Sequence, residues 1–239
     1  MGERARYTYA IADLHGRFDL LQKAYDAISE HSAGEPITIV HLGDYVDRGP
    51  QSREVVEWLM EDAALPPWVR RVCLQGNHEA MMVETLRAPL HPEWWIGNGG
   101  GATLISYGHE PRGIYNPGVV PAAHIDWMAS RPFYHADEHR LFVHAGVQPS
   151  VPLDEQTEHT LQWMIWPAGS EGDYRGLHIV HGHEQFADGP KCFEGRTDLD
   201  TFAWYTGRLV IGVFDSEKPG GPCALLEVKA TPTGEASDV

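Results

Sequence analysis

The 239-residue sequence is poor in three things, and each narrows what the chain can be. Cysteine is scarce: Cys73, Cys192 and Cys223 are far apart, odd in number and without a CxxC pair, which argues for reduced thiols rather than a disulfide framework. Long apolar runs are missing, and none approaches the roughly 20 residues of a transmembrane helix. The amino terminus has Asp13 inside its only apolar stretch, which makes a poor signal peptide, and Arg6 stands where a myristoylation signal needs Ser or Thr. Basic residues are scarce as well, with 18 Lys and Arg against 34 Asp and Glu and a net charge of −16. A sequence-independent grip on nucleic acid needs a basic surface. These shortages lead us to expect a cytoplasmic chain with no nucleic-acid and no membrane partner.

What remains is ordinary globular composition, 42% hydrophobic and 22% charged. Short β-branched runs alternate with longer helical patterns, the sign of an α/β layer structure. "YTYAIA", "ITIVHL" and "VRRVCLQ" read as strands, and Phe18, Leu21, Tyr25 and Ile28 recur at helical spacing. Ser52 is positioned to cap the next helix, and "EAMMVETL" reads as another. "RLFVHA" and "LHIVHG" follow as strands. The last quarter, with "TDLDTFAW", "RLVIGVF" and "CALLEVK", reads as strands without intervening helices, which suggests antiparallel pairing. We expect one domain over residues 1–230, with an irregular cap or loop region at 88–120, and a flexible tail at 231–239.

Polar clusters follow five of these strands: Asp13 and His15; Asp44, Asp47 and Arg48; Asn77 and His78; His144; and His181 with His183. A single Asp before a turn is usually a turn residue. Five such loops suggest one ligand, because ligands collect beyond the carboxyl ends of strands. Asp13, His15, Asp44, Asn77, His144 and His183 offer oxygen and imidazole but no thiolate, a set suited to Mn, Fe or Zn. Six ligands fit two ions sharing a carboxylate, with Asp44 as the bridge. Such pairs clamp both oxygens of an in-line phosphoryl displacement and acidify a water between them. Arg48 would fork onto the phosphate. Asp47 is left over, and with His78 it makes a general-acid pair for the leaving group.

Read in order, "D-x-H-G, G-D-x-x-D-R-G, G-N-H-E, H-A-G, G-H" resembles the phosphoprotein-phosphatase family of binuclear metallophosphoesterases, over roughly residues 7 to 215. "GNHEAMM" and "WWIGNGGGATL" resemble its lambda-phage-type bacterial branch, which consists of Ser/Thr protein phosphatases. The resemblance implies an α/β (α+β) calcineurin-like fold, a sandwich of two mixed β-sheets flanked by helices with the site at one end. It implies the metal ligands Asp13, His15, Asp44, Asn77, His144 and His183, His78 as acid supported by Asp47, and Arg48 and Asn77 against substrate. It further implies two divalent ions, Mn2+ first with Fe, Zn and Ni as alternatives, and a phosphorylated protein or small phosphoester as substrate.

Two positions depart from the pattern. Glu184 follows His183 where the family has threonine, and Ala168 stands where the lambda type carries a second phosphate-binding arginine. Arg175, in the same loop, is the candidate replacement. Two other readings resemble this chain less. Symmetrical diadenosine tetraphosphate hydrolases typically read Gly-Asn-His-Asp, with a less intact Asp-Arg-Gly loop. A non-catalytic phosphatase-like scaffold would have lost ligands or the acid histidine.

Overall fold

The computed structural model describes residues 5–88 and 91–230, so the expected tail at 231–239 lies outside the described residues. Within them the chain forms β1 (Tyr7–Ile11), α1 (Phe18–Ser32), β2 (Ile37–His41), α2 (Ser52–Met60), β3 (Val69–Cys73) and α3 (Asn77–Arg87). Then come α4 (Pro92–Trp95), α5 (Gly101–Ser106), α6 (Ala122–Ala129), β4 (Tyr134–Ala136), β5 (Arg140–Val143), α7 (Glu158–Trp163) and β6 (His178–His181). The described chain closes with β7 (Lys191–Cys192), β8 (Arg196–Asp198), α8 (Ala203–Thr206), β9 (Arg208–Asp215) and β10 (Ala224–Lys229).

Two five-stranded sheets result, in the orders β10-β9-β1-β2-β3 and β4-β5-β6-β8-β7. Both are mixed. β1, β2 and β3 run parallel while β9 and β10 run antiparallel to their neighbours. β5, β6 and β8 run parallel between antiparallel edges β4 and β7. The late strands therefore pair antiparallel as expected in the first sheet, whereas β8 joins the second sheet in parallel.

Side-chain alternation explains the layering, because successive strand residues point to opposite faces. In β1, Tyr9 and Ile11 pack toward the helices with Leu20, Leu21 and Ile28 of α1. Ala10 and Ala12 face the other way and meet Val40, Leu42, Phe142, Val180 and Phe214 between the sheets. In β5, Leu141 and Val143 face outward, where they pack with Leu161, Trp166 and Tyr174. Burial on both faces is what made these strands read as continuous apolar runs.

Three local expectations change. Ser52 is the first residue of α2 and makes no cap; its hydroxyl accepts a bond from Asp47 N (3.1 Å) instead. The strand at "TDLDTFAW" stops at Asp198, because Asp198 accepts from Asp200 N (2.9 Å) and Asp200 from Phe202 N (2.8 Å). These side chain–backbone bonds turn the chain into α8. Among the described residues, the stretch 91–120 carries α4, α5 and a link at Ile96–Gly100 kinked at Gly99, and from it Trp95 and Thr103 reach Asp47.

Candidate active site

All five polar loops leave the carboxyl ends of parallel strands, three from the first sheet and two from the second. They converge on a cleft of about 450 Å³ lined by Asp13, Asp44, Arg48, Asn77, His78 and His183, with Ile165 and Glu184 at its edge. His15 and His144 are fully buried beneath it. A larger groove of about 760 Å³ opens at the opposite ends of the strands, near Thr8, Thr38, Arg70 and His135. No group of metal-capable side chains found among the described residues lies in that groove, so the chemistry belongs to the smaller cleft.

Of the candidate residues brought together here, five have left-handed backbone: His15 (φ 42°), Asp44 (54°), Asp47 (72°), Arg48 (69°) and His183 (71°). Non-glycine residues pay of order 1 kcal/mol or more for this conformation, and it persists where the surroundings impose it. Glu79 is the main restraint. Its buried carboxylate accepts Asp44 N (2.8 Å) and Gly76 N (2.9 Å) on one oxygen and Tyr45 N (2.8 Å) on the other. It thereby ties the loop after β2 to the loop after β3. Burial raises the Glu79 carboxyl above its ordinary range, and the N–H bonds from Tyr45, Gly76 and Asp44 pull it back.

Asp47 is held as firmly. His78 Nδ1 donates to its Oδ2 (2.7 Å), Trp95 Nε1 lies 3.0 Å from both oxygens, and Thr103 Oγ1 donates to Oδ1 (2.7 Å). The glycine run between Trp95 and Thr103 is what permits this approach. A Cβ on Gly100 would lie 2.4 Å from the Trp95 ring, and one on Gly99 only 2.7 Å from Arg48 N, which bonds Gly99 O.

The donor set fits metal ions. His15 Nδ1 donates to Val46 O (2.8 Å) and His144 Nδ1 to Leu42 O (2.9 Å), so each ring turns a bare Nε2 inward. His144 Nε2 then faces Asn77 Oδ1 at 2.8 Å and Asp44 Oδ1 at 3.4 Å, a meeting of acceptors only. Such a convergence calls for a cation, or for the Asn77 amide to turn its NH2 inward toward His144, His183 and Asp44. Asp44 belongs to two tight groups, with His15 and His78 and with His144 and His183. Asp13 sits beside them, accepting His183 N on Oδ1 (3.2 Å). Burial, with the His78 and Arg48 charges, holds His15 well below its ordinary range, and burial with His144 brings His183 down to about 3. Both rings are therefore neutral, as ligation requires. Burial chiefly, with Asp13 and Glu79 adding repulsion, pushes the Asp44 carboxyl well up, so anionic Asp44 needs positive charge beside it.

Arg48 reaches across the two rings of the first group, with Nη1 2.9 Å from His15 Nε2 and Nη2 3.1 Å from His78 Nε2. Arg175 is not brought in. It sits exposed in the tight turn between Tyr174 and Leu177, its guanidinium over the Tyr174 ring, and it does not line the cleft. Tyr174 is anchored in the outer core by its ring and by its bond to Val151 O (2.9 Å), which fixes the turn there. A third metal-capable group, His181, Glu184 and Asp198, is crossed by Arg196, which donates to His181 Nε2 (3.0 Å). Sequence reasoning missed Glu79, Trp95 and Thr103 as site residues. It also missed Asp200, whose carboxyl is driven well up by burial and by the Asp13 charge.

The chain is similar to known phosphoesterases. The chain is 32% identical to Serine/threonine-protein phosphatase 1 of Salmonella typhimurium (strain LT2) over 213 residues, 86% of this chain and 91% of that protein. It is 31% identical to a symmetrical bis(5'-nucleosyl)-tetraphosphatase of Paracidovorax citrulli, over 64% of this chain and 49% of that protein. Several other curated relatives likewise align over about half of their own length or less. A cold-active protein tyrosine phosphatase structure superposes with a TM-score of 0.65 at 18% identity, covering 94% of this chain and 78% of that one, which shows the shared fold alone. The model of the calcineurin-like phosphoesterases matches residues 7–212, and the chain belongs to that metallophosphoesterase family.

Proposed function

We propose that this chain is a binuclear-metal phosphomonoester hydrolase of the phosphoprotein-phosphatase type. One observation carries the reading: a single buried carboxylate, Asp44, is shared by two groups of inward-facing imidazoles beside the His78–Asp47 pair. Asp13, His15 and Asp44 would hold one divalent ion, and Asp44, Asn77, His144 and His183 the other, with Mn2+ the first candidate for this oxygen and nitrogen set. Bound there, the ions would offset phosphoryl charge and acidify water.

The chain's own residues do the rest. A phosphate dianion competes for the Arg48 guanidinium, which now bridges His15 and His78. Drawing Arg48 onto phosphate frees His78 Nε2 to carry a proton. Asp47, fixed by Trp95 and Thr103, holds the Nδ1–H tautomer and the ring's orientation. His78 then gives its Nε2 proton to the departing oxygen. The Salmonella relative's name makes phosphoserine and phosphothreonine the first substrates to test. Among the described residues Arg48 is the sole Lys or Arg lining the cleft, and Glu184 adds an acid to it. That balance suits a monoester better than the four phosphates of a dinucleoside tetraphosphate.

The test is His78→Asn. Both ions should stay bound while kcat falls roughly 10²–10⁴-fold, the usual worth of a positioned general acid. The loss should be large on O-phosphoserine, whose alkoxide needs a proton, and small on p-nitrophenyl phosphate. Equal losses on the two esters would remove His78 from the acid role. No chelator-sensitive hydrolysis of either ester by the parent protein would end the phosphatase reading.

A further inference from the structure

Among the described residues, the cleft has two charged side chains besides the metal set and His78, and their signs are opposite. Arg48 enters on the loop after β2 of the first sheet, Glu184 on the loop after β6 of the second. Arg48 has a task in the reading above and Glu184 has none. An acid lining a cleft that receives a phosphate dianion repels it, and like charges brought together disfavour binding. Such a residue makes chemical sense where the substrate itself brings a positive charge.

The protein supplies that charge only in part. Glu184 Oε2 lies 4.0 Å from Arg196 Nη1, beyond hydrogen-bond range, and 3.4 Å from Trp166 N, at its long limit. Arg196 is engaged elsewhere: Nη1 donates to His181 Nε2 (3.0 Å) and Nε to Ser170 O (3.1 Å). Its guanidinium lies over the Phe193 and Trp166 rings, 3.7 and 5.2 Å from their centroids. Among the described residues, Glu184 Oε1 accepts no hydrogen bond. The cleft wall around it is apolar on two sides, with Ile165, 62% exposed, and Phe186. Walls of this kind take the methylene stem or methyl groups of an organic cation while its charge meets the carboxylate.

We infer that Glu184 is a specificity residue, selecting phosphomonoesters that carry an ammonium or guanidinium group a few bonds from the phosphate. This rests on the phosphomonoesterase reading. Arg48 and His78 serve the phosphate and its leaving oxygen, and Glu184 takes the cation, whose stem packs on Ile165 and Phe186. A small amino-alcohol phosphate has this chemistry, and so does a phosphoserine next to a lysine or arginine in a polypeptide.

The experiment measures kcat/KM of Mn2+-loaded protein on two matched pairs. Phosphocholine and 3,3-dimethylbutyl phosphate share a shape and differ by one charge. Phosphoserine peptides with lysine or norleucine beside the phosphoserine form the second pair. At low salt the parent should prefer the charged member by roughly fivefold, the upper end for an exposed ion pair, and high salt should shrink that preference. Glu184→Gln keeps the shape and an acceptor for Trp166 N. It should lower kcat/KM on the charged member and raise it on the neutral one, whereas a purely structural role lowers both alike. Glu184→Asp, which keeps the charge, should retain most of the preference. A shift in the phosphocholine pair alone identifies a small amino-alcohol phosphate as the source of the cation, and a shift in the peptide pair alone identifies a basic polypeptide segment. A parent without preference in either pair, or ratios unmoved by Glu184→Gln, overturns the role of Glu184 and leaves the phosphatase reading standing. Absence of hydrolysis on all four substrates overturns both.

Discussion

Replacing Glu79 by Gln is the most direct probe of how the site is held together. The carboxylate has no solvent exposure and accepts three backbone N–H groups at 2.8–2.9 Å from two separate loops. Hydrogen bonds to a charged acceptor contribute roughly 1.5–3 kcal/mol each, and a buried donor left unpaired costs about 1–3 kcal/mol. A carboxamide can satisfy one set of donors, but its NH2 must then face the other. Either Tyr45 N or the Asp44 and Gly76 pair is orphaned. We expect a net loss of about 3 kcal/mol, a large part of the roughly 5–15 kcal/mol that stabilises a domain. Glu79→Asp, one methylene shorter, cannot reach both loops and should do no better. Urea unfolding in chelator reads the stability, with an unchanged slope marking a true stability change. Elemental analysis of metal-loaded protein reads whether Asp44 still holds its place, and kcat should fall with it. A Glu79→Gln protein within about 0.5 kcal/mol of the parent, the ordinary range of surface changes, and with both ions bound, would refute the clamp.

Two other perturbations separate neighbouring claims. Arg48→Ala should raise KM roughly ten- to hundredfold, the value of one charge-assisted phosphate contact, while Arg175→Ala, at an exposed turn outside the cleft, should leave it unchanged; an equal rise for both in steady-state kinetics would contradict the placement of Arg175. His41 is fully buried, and burial with the nearby Arg71 charge lowers it to about 3, below its unfolded value of about 6.5. Its neutral form is the folded one, so its stabilising share is complete above about pH 6.5 and is lost as pH falls toward 3. The slope is about 1.4 kcal/mol per pH unit, and His41→Leu should flatten the fall in thermal midpoint between pH 6.5 and 4.5; an unchanged slope would mean that another group controls it.

Much of this was legible in the chain because strands buried on both faces announce themselves. "YTYAIA", "ITIVHL" and "RLFVHA" could hardly be anything else, and the polar residues just after them had to lie at strand ends. What stayed hidden depends on partners far away in sequence. Glu79 meets Asp44 35 residues back, and Trp95 and Thr103 meet Asp47 across 48 and 56 residues. No local period encodes such contacts. Arg175 failed for the opposite reason: closeness in sequence to Ala168 suggested a shared loop position, but the turn locked by Tyr174 directs the chain elsewhere. Ser52 looked like a cap because capping is the commoner use of a serine before a helix. Here the hydroxyl goes to Asp47 N.

The seam between the two sheets has one more consequence. His15, Asp44 and Asn77 arrive on loops of the first sheet, His144 and His183 on loops of the second. Neither sheet by itself brings more than part of the set into reach. During synthesis, or after partial unfolding, the chain carries every motif yet has no centre, because the centre exists only once Ala10 and Ala12 have closed against Phe142 and Val180. A complete centre thus requires both sheets docked, and a chain with only one of them formed cannot gather the full ligand set.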